Sequence, residues 1–274
     1  MGRTLSVVEQ PNWVPGDIDV QRPSVARVYD YYLGGSHNFE ADRELARQIV
    51  EMAPDAIPIA RANRAFLRRA VRFCVDAGIR QFLDIGSGIP TVGNVHDIAQ
   101  QLDPDAKVVY VDIDPIAVAH SRAILEGNDN AAMIQADVRD PEAILRHDEC
   151  RRLLDLDQPI AVLLVSIMHF IPDADDPAAI VTAFSDAVAP GSYLVFSQVT
   201  HQGPPDPRLD PAKELYARTA SQLAVRSRES IEELLSGWRF VEPGLTHLSL
   251  WRPDSPDDVE LGGKAFLAGV GRKG

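Results

Sequence analysis

Between residues 24 and 77 the apolar positions recur every three or four residues. Val25, Val28, Tyr29, Tyr32 and Leu33 fall at i, i+3, i+4, i+7 and i+8. Ala41, Leu45 and Ile49 share one face of a second segment, and Ile59, Ala62, Phe66, Ala70 and Phe73 one face of a third, from about Pro58 to Ala77. That period predicts three helices. Ser24 is placed to cap the first, Gly34-Gly35 ends it, the second stops before Pro54 and Gly78 stops the third. From residue 82 the pattern changes to short apolar runs bounded by acids and glycines: Phe82-Leu83-Asp84-Ile85, Val108 to Asp112, Ala132 to Asp137 and Ile160 to Ser166. Continuous runs of this kind are strands of a parallel sheet covered on both faces. Helical spacing fills Val92 to Leu102 between the first two, and about Pro177 to Val188 after the fourth. Ser192 to Val199 reads as a fifth strand. Helices at about 211–225 and 228–236 follow, then late strands at 238–251, broken at Pro243-Gly244, and 265–271. Late strands with no long helix between them fit an antiparallel hairpin at a sheet edge. Residues 1–22, with Pro11, Pro15 and Gly16, show no sustained period and read as an extended arm. The organisation expected is an arm (1–22), a helical cap (23–78) and an α/β core (79–274) with a mostly parallel seven-stranded sheet.

The acids of the core fall at strand tips. Asp84 precedes the turn Gly86-Ser87-Gly88, Asp112 ends the second strand with Ile113 after it, and Asp137, followed by Val138, ends the third. A β-turn-α-β unit with a carboxylate at the end of its second strand is a recurring way to hold a nucleoside: glycines admit the ligand to the backbone, and the acid accepts from the ribose hydroxyls. Two cofactors compete for this unit. A dinucleotide site wants a third glycine where Thr91 stands, and its pyrophosphate would be repelled by Asp84. S-adenosylmethionine (SAM), with a cationic amino group and a sulfonium, suits Asp84. Asp137 could accept from the adenine amino group or cap the following helix. Ser166, at the tip of the fourth apolar run, completes the crevice.

Composition narrows the function. The net charge of −13 argues against a surface that tracks phosphates. Arg61, Arg64, Arg68, Arg69 and Arg72 do cluster, but at helical spacing that reads as a solvated helix face. Cys74 and Cys150 lie far apart without a Cys-x-x-Cys, as expected of thiols in a reducing compartment. No apolar run has transmembrane length and no apolar signal core opens the chain, so a cytoplasmic protein without membrane partners is expected. No His/Asp/Glu set has metal-ligand spacing. Nothing in the pattern specifies an oligomer.

Residues 82–170 resemble the cofactor half of the class I SAM-dependent methyltransferases. More narrowly, Tyr29-Asp30-Tyr31-Tyr32-Leu33-Gly34-Gly35 resembles the N-terminal Tyr-Asp-Tyr-x-Leu-Gly-Gly segment of one methyltransferase-like family. Arg61-Ala62-Asn63-Arg64-Ala65-Phe66 and Asn94-Val95-His96 match two further motifs of that family. So do Val241-Glu242-Pro243-Gly244 and Leu250-Trp251-Arg252-Pro253, and the resemblance covers roughly residues 20–274. It implies a Rossmann-like class I methyltransferase fold and SAM as cofactor, and leaves the methyl acceptor undefined.

Within that frame Tyr32, Gly34 and Asn38 belong to a segment, Tyr32 to Phe39, expected to act as a lid over the nucleoside crevice. His169, three residues past Ser166, is the candidate general base, since an unperturbed imidazole with a pKa of about 6.5 serves at neutral pH. His96 is expected to orient the glycine turn. The fourth apolar run is not followed by Asn/Asp-Pro-Pro-aromatic, and no cysteine lies at a strand tip. By elimination the expected acceptor is an oxygen or nitrogen of a small molecule, in a crevice completed by His169, the Pro204 to Pro207 loop and the N-terminal segment. The competing readings are a SAM-binding protein without turnover and an NAD-linked oxidoreductase.

Overall fold

The computed structural model describes residues 19–90, 93–201, 210–260 and 265–274. Five strands form its parallel portion: β1 (Gln81–Ile85), β2 (Lys107–Asp112), β3 (Ala131–Gln135), β4 (Ala161–Val165) and β5 (Tyr193–His201). At the C-terminal end β9 (Phe266–Arg272) runs antiparallel to β5 and pairs with β7 (Arg239–Phe240). The order is β3-β2-β1-β4-β5-β9-β7. The chain reverses direction across the sheet between β1 and β4, and this is where the C-terminal strand ends open a crevice for a ligand.

Among the described residues the sheet has nine strands rather than seven, because two-residue strands join it at β6 (Arg226–Ser227), parallel to β5, and β8 (Thr246–His247), antiparallel to β9. Such short pairings carry no periodicity. The expected strand 238–251 is divided into β7, β8 and a 3-10 turn at Leu248–Leu250. The expected helix 211–225 is shorter: α9 covers Asp210–Tyr216, and the Thr219 hydroxyl then closes turns with the Tyr216 and Ser221 carbonyls.

Two faces cover the sheet. On one lie α3 (Ala56–Asp76) and α4 (Val95–Leu102), burying Phe66, Ala70, Val71, Val95 and Ala99 against Phe82, Val108 and Tyr110. On the other lie α6 (Pro141–Arg146), α7 (Asp148–Leu153), α8 (Pro177–Ala187) and α10 (Arg228–Leu234), which bury Ile144, Leu153, Ile180, Phe184 and Ile231 against Leu83, Ile85, Val109 and Leu164. Alternate residues of β1 therefore face opposite cores, and Asp84 shares the α3 face with Phe82. α4 begins at Val95, after Asn94, whose N–H donates to the Asp97 carboxylate at 3.0 Å; the residues 91 and 92 of the expected helix start lie outside the described ones. α5 (Pro115–Ile124) starts from an Asp114 cap and a proline at its first position.

α1 (Val25–Tyr32) and α2 (Glu40–Met52) pack with the start of α3 and with α9 around Val28, Tyr32, Leu45, Ile49 and Leu215. The capping role expected of Ser24 is not made by its hydroxyl. Its N–H instead donates to Asp42 Oδ1 at 2.9 Å, tying α1 to α2.

Candidate active site

The turn after β1 is shaped by what Gly86 must avoid. Its φ is +71°, its N–H donates to the Val111 carbonyl at 2.8 Å, and a Cβ there would lie 2.7 Å from the Ile167 side chain. The turn carries Gly88 over the end of β2, where its N–H donates to Asp112 Oδ2 at 2.7 Å. Asp112 Oδ1 accepts from the Asp114 N–H at 2.8 Å. Both bonds stabilise the carboxylate, but burial outweighs them and pushes Asp112 up to about 6. Between these two aspartates Ile113 is 57% exposed. The tip of β2 thus offers a fixed carboxylate beside an apolar side chain open to solvent.

Asp84 is 6% exposed, and among the described residues nothing donates a hydrogen bond to its carboxylate. It faces a small cavity of about 20 Å³ that Arg64, Ser87, Gly88, His96 and Tyr110 also line. Burial pushes Asp84 up to about 7; Arg64 opposes that rise and the Asp112 charge adds to it. Arg64, from α3, donates to the Gly93 carbonyl at 2.9 Å. The Tyr110 hydroxyl accepts from the His96 N–H and lies 2.7 Å from His96 Nδ1. His96 thus clamps Tyr110, the β2 neighbour of Asp84 in register. The third acid, Asp137, is gripped by its own neighbour. Burial raises Asp137, but the Arg139 guanidinium and backbone N–H on its carboxylate hold it below the usual range. Val138, beside it, is buried in the second core.

At the tip of β4, Ser166 has φ +60°, a conformation that costs a non-glycine residue energy. Its N–H donates to both the carbonyl and the hydroxyl of Ser197, each at 3.0 Å. The chain continues outward: Ser197 Oγ donates to Asn63 Oδ1 at 2.7 Å, Asn63 Nδ2 donates to the Tyr29 hydroxyl at 3.0 Å, and Tyr29 donates to the Ala60 carbonyl. Three elements, β5, α3 and α1, therefore fix one strand tip.

The segment following α1 is organised by Asp30. Its Oδ2 accepts from the His37 N–H at 2.9 Å and from Asn38 Nδ2 at 2.8 Å. Gly35 is packed so closely on this carboxylate that a Cβ would lie 1.9 Å from Oδ1. Asn38 also donates to the Gly35 carbonyl, so it holds the turn together. Phe39 then packs against Ile89 of the glycine turn and Ile116 and Ala117 of α5, with the Arg27 guanidinium 5.1 Å from its ring centroid. The His37 and His120 rings lie 3.8 Å apart, and Arg27 sits between Asp42 (3.3 Å) and Asp114 (3.8 Å). The N-terminal helices are thereby seated on the glycine turn and the start of α5.

This geometry agrees with the relatives. A family model described as S-adenosyl methyltransferase matches residues 11–274. The chain belongs to the S-adenosyl methyltransferase family. A presumptive methyltransferase from Thermobifida fusca YX is 43% identical over 96% of this chain and 99% of its own, with a TM-score of 0.89. A DUF574 family protein from Streptomyces avermitilis MA-4680 is 36% identical over 93% of this chain and 99% of its own, with a TM-score of 0.88. A mitomycin 7-O-methyltransferase, 17% identical over 83% of this chain and 57% of its own, shares the fold at a TM-score of 0.50. No curated protein matches the chain. The protein is a SAM-dependent methyltransferase with a Rossmann-like fold.

In this methyltransferase the structure brings together Asp84, Gly86, Ser87, Gly88, Asp112, Ile113 and Ser166 along one edge of the sheet, with Asp137 and Val138 past the tip of β3. It argues against His169 as a general base. That residue is 5% exposed, and burial, aided by the Arg226 charge, pushes it down to about 3. An imidazole that takes up a proton so reluctantly is a poor acceptor of one at neutral pH. The Pro204 to Pro207 loop lies outside the described residues. Tyr32 is buried among the N-terminal helices, its hydroxyl facing that of Tyr216. Sequence reasoning missed Arg27, Asp30 and Asp114; the signals available were charged residues on a helix otherwise bound for the core and, for Asp114, an Asp-Pro pair opening a helix. The arginine cluster is not a free basic face. Arg69 donates to the Trp251 and Leu248 carbonyls, and Arg68 and Arg72 pair with Asp254.

Proposed function

We propose that this methyltransferase transfers the methyl group to an oxygen or nitrogen of a small molecule, and that the strand-tip acids hold SAM. The observation that carries the cofactor assignment is Asp84: a buried carboxylate without a hydrogen-bond donor among the described residues, facing a cavity, asks for a cation. The SAM ammonium fits it, and Arg64 in the same cavity offers a guanidinium to the α-carboxylate. Asp112, aimed by Gly88 and Asp114, accepts from the ribose hydroxyls. Ile113 and Val138 cover the faces of the adenine, and Asp137 accepts from its amino group in competition with Arg139. The segment from Tyr32 through Gly34 and Asn38 to Phe39 closes the crevice as a lid, within a cap of residues 23–78 on a core of 79–274.

When bound, SAM supplies a methyl carbon activated by a sulfonium that leaves as a neutral thioether. Little charge develops at the site, so the work left to the chain is alignment and exclusion of water. Ser166, fixed by the hydrogen-bond chain through Ser197, Asn63 and Tyr29, holds the backbone beside the methyl position. His169, neutral at pH 7, positions the acceptor rather than removing its proton.

A small acceptor is supported by the charge of −13 and by the commitment of Arg68, Arg69 and Arg72 to acids and carbonyls of the C-terminal segment. No helix among the described residues is long and apolar enough to cross a membrane, and we place the protein in the cytoplasm. The test is to incubate the full chain with SAM and either a deproteinised small-molecule extract or tRNA, rRNA and DNA, measuring S-adenosylhomocysteine (SAH). Product formed with the extract supports the reading. Product formed only with nucleic acid overturns the acceptor class, and tight SAM binding with no product from either points to a sensor.

A further inference from the structure

Just past Ser166, four segments bring aromatic rings into mutual contact. The His169 ring lies 4.3 Å from that of Phe170 and meets Phe266 of β9 edge-on at 5.5 Å. Phe170 lies 5.5 Å from Tyr216 of α9, and Tyr216 in turn faces the Tyr32 hydroxyl of α1. Taken alone, this cluster would be core. Two of its polar atoms say otherwise. His169 Nδ1 is buried without a hydrogen-bond partner among the described residues, and the buried Tyr32 hydroxyl has only the Tyr216 hydroxyl beside it. Elsewhere in the same layer tyrosine hydroxyls are satisfied: Tyr29 by Ala60 and Asn63, Tyr110 by His96. Buried polar atoms are normally paired, so an unpaired imidazole nitrogen joined by a run of rings to a hydroxyl with a single neighbour marks a position for a partner.

The turn that carries His169 and Phe170 is held from below. Arg226 donates to the Met168 carbonyl at 2.9 Å and to the Ile171 carbonyl at 2.7 Å, and it pairs with Asp173. That guanidinium is thus committed and leaves no cation for a carboxylate or phosphate ligand. What remains is ring faces and edges with two neutral hydrogen-bonding atoms. Such a surface selects a flat, uncharged or weakly polar molecule.

We infer that the rings of Tyr32, His169, Phe170, Tyr216 and Phe266 form the acceptor subsite, and that the acceptor is a planar aromatic compound carrying a hydroxyl or amino group. The inference rests on the SAM reading above and names its substrate class. The aromatic ring of the acceptor packs against Phe170, Tyr216 and Phe266. Its polar substituent bonds to the Tyr32 hydroxyl and to His169 Nδ1, which turns the reacting atom toward the strand tip at Ser166. The acceptor enters by parting Tyr216, on the seven-residue α9, from Phe170. Tyr32 and His169 are positioning residues.

Phenol is the probe. Its binding to the SAH-saturated full chain is measured by saturation-transfer NMR beside cyclohexanol, which has the hydroxyl without the ring, and fluorobenzene, which has the ring without the hydroxyl. Phenol is expected to bind at least fivefold more tightly than either. Phe170→Leu and Tyr216→Leu should each weaken phenol at least fivefold, and the isosteric Tyr32→Phe should erase its advantage over fluorobenzene. SAH affinity by calorimetry should stay within twofold in Phe170→Leu and Tyr216→Leu. Equal binding of phenol and cyclohexanol, or phenol affinity unmoved in the variants, overturns the inference while SAH still binds. Failure of the native chain to bind SAH overturns the cofactor reading, and this inference with it.

Discussion

Replacing Asp84 by asparagine keeps the size of the side chain and removes its charge. Burial, with the Asp112 charge, raises this carboxyl from an ordinary 3.8 to about 7. A folded-state value above the unfolded one favours folding while the group is protonated; that contribution is fully present below 3.8 and is lost as the pH rises through about 7. The ionised carboxylate then penalises the folded apo protein by about 1.5 kcal/mol at pH 5 and about 4 kcal/mol at pH 8, at roughly 1.4 kcal/mol for each tenfold. The asparagine variant would carry neither penalty. Urea denaturation of the apo chain, followed by circular dichroism at pH 5 and pH 8, should therefore show Asp84→Asn gaining about 2.5 kcal/mol on the native chain between the two conditions. Asp112, pushed up to about 6, titrates in both proteins and largely cancels in the comparison. Binding should reverse the ranking. SAH brings the missing cation, so native affinity should fall about tenfold from pH 8 to pH 6, while the variant binds weakly and without that slope. A stability gap that is the same at pH 5 and pH 8 would refute both the raised carboxyl and its role as a waiting counter-ion.

Asp112→Ala should weaken SAH by about 1.5–3 kcal/mol in calorimetry, the scale of a lost charge-assisted hydrogen bond. Asp137→Ala should cost affinity for SAM more than for an analogue lacking the exocyclic amino group; equal losses would leave Asp137 only its pairing with Arg139. Gly35→Ala, which would drive a methyl group onto the Asp30 carboxylate, should cost about 2 kcal/mol or more in urea denaturation. SAH should slow hydrogen exchange across Tyr32 to Phe39, and unchanged exchange there would rule out closure of the lid.

The parallel strands were legible because each is an unbroken apolar run that the sheet covers on both faces, and their tips were legible because acids and glycines stand where such runs stop. Gly86 and Asp112 could be read without a fold, since the turn they make is local. His169 could not. Whether an imidazole at a strand tip meets solvent or Phe266 and Arg226 depends on segments about 60 to 100 residues away. Asp30 was equally hidden: on a helix with an apolar face an aspartate reads as surface, and only the return of Gly35, His37 and Asn38 shows it to be a buried turn organiser. The roles of Asn63 and Arg64 had family likeness as their only signal, because their partners, Ser197 and Gly93, come from other elements.

The anchoring of α3 bears on how the molecule is made. Arg69 of this early helix donates to carbonyls 182 and 179 positions further along the chain, and Phe66 meets the ring of Trp251 at 5.4 Å. During translation α3 is therefore finished long before its partners exist. At about 5–20 residues per second the wait is on the order of 10–35 s. For that time a helix with phenylalanine, leucine and valine on one side is exposed outside the ribosome without its C-terminal seat. Premature termination anywhere before Trp251 leaves Phe66 and Arg69 without these partners for good, so truncated products of this chain should be clients of chaperones and proteases rather than smaller working enzymes.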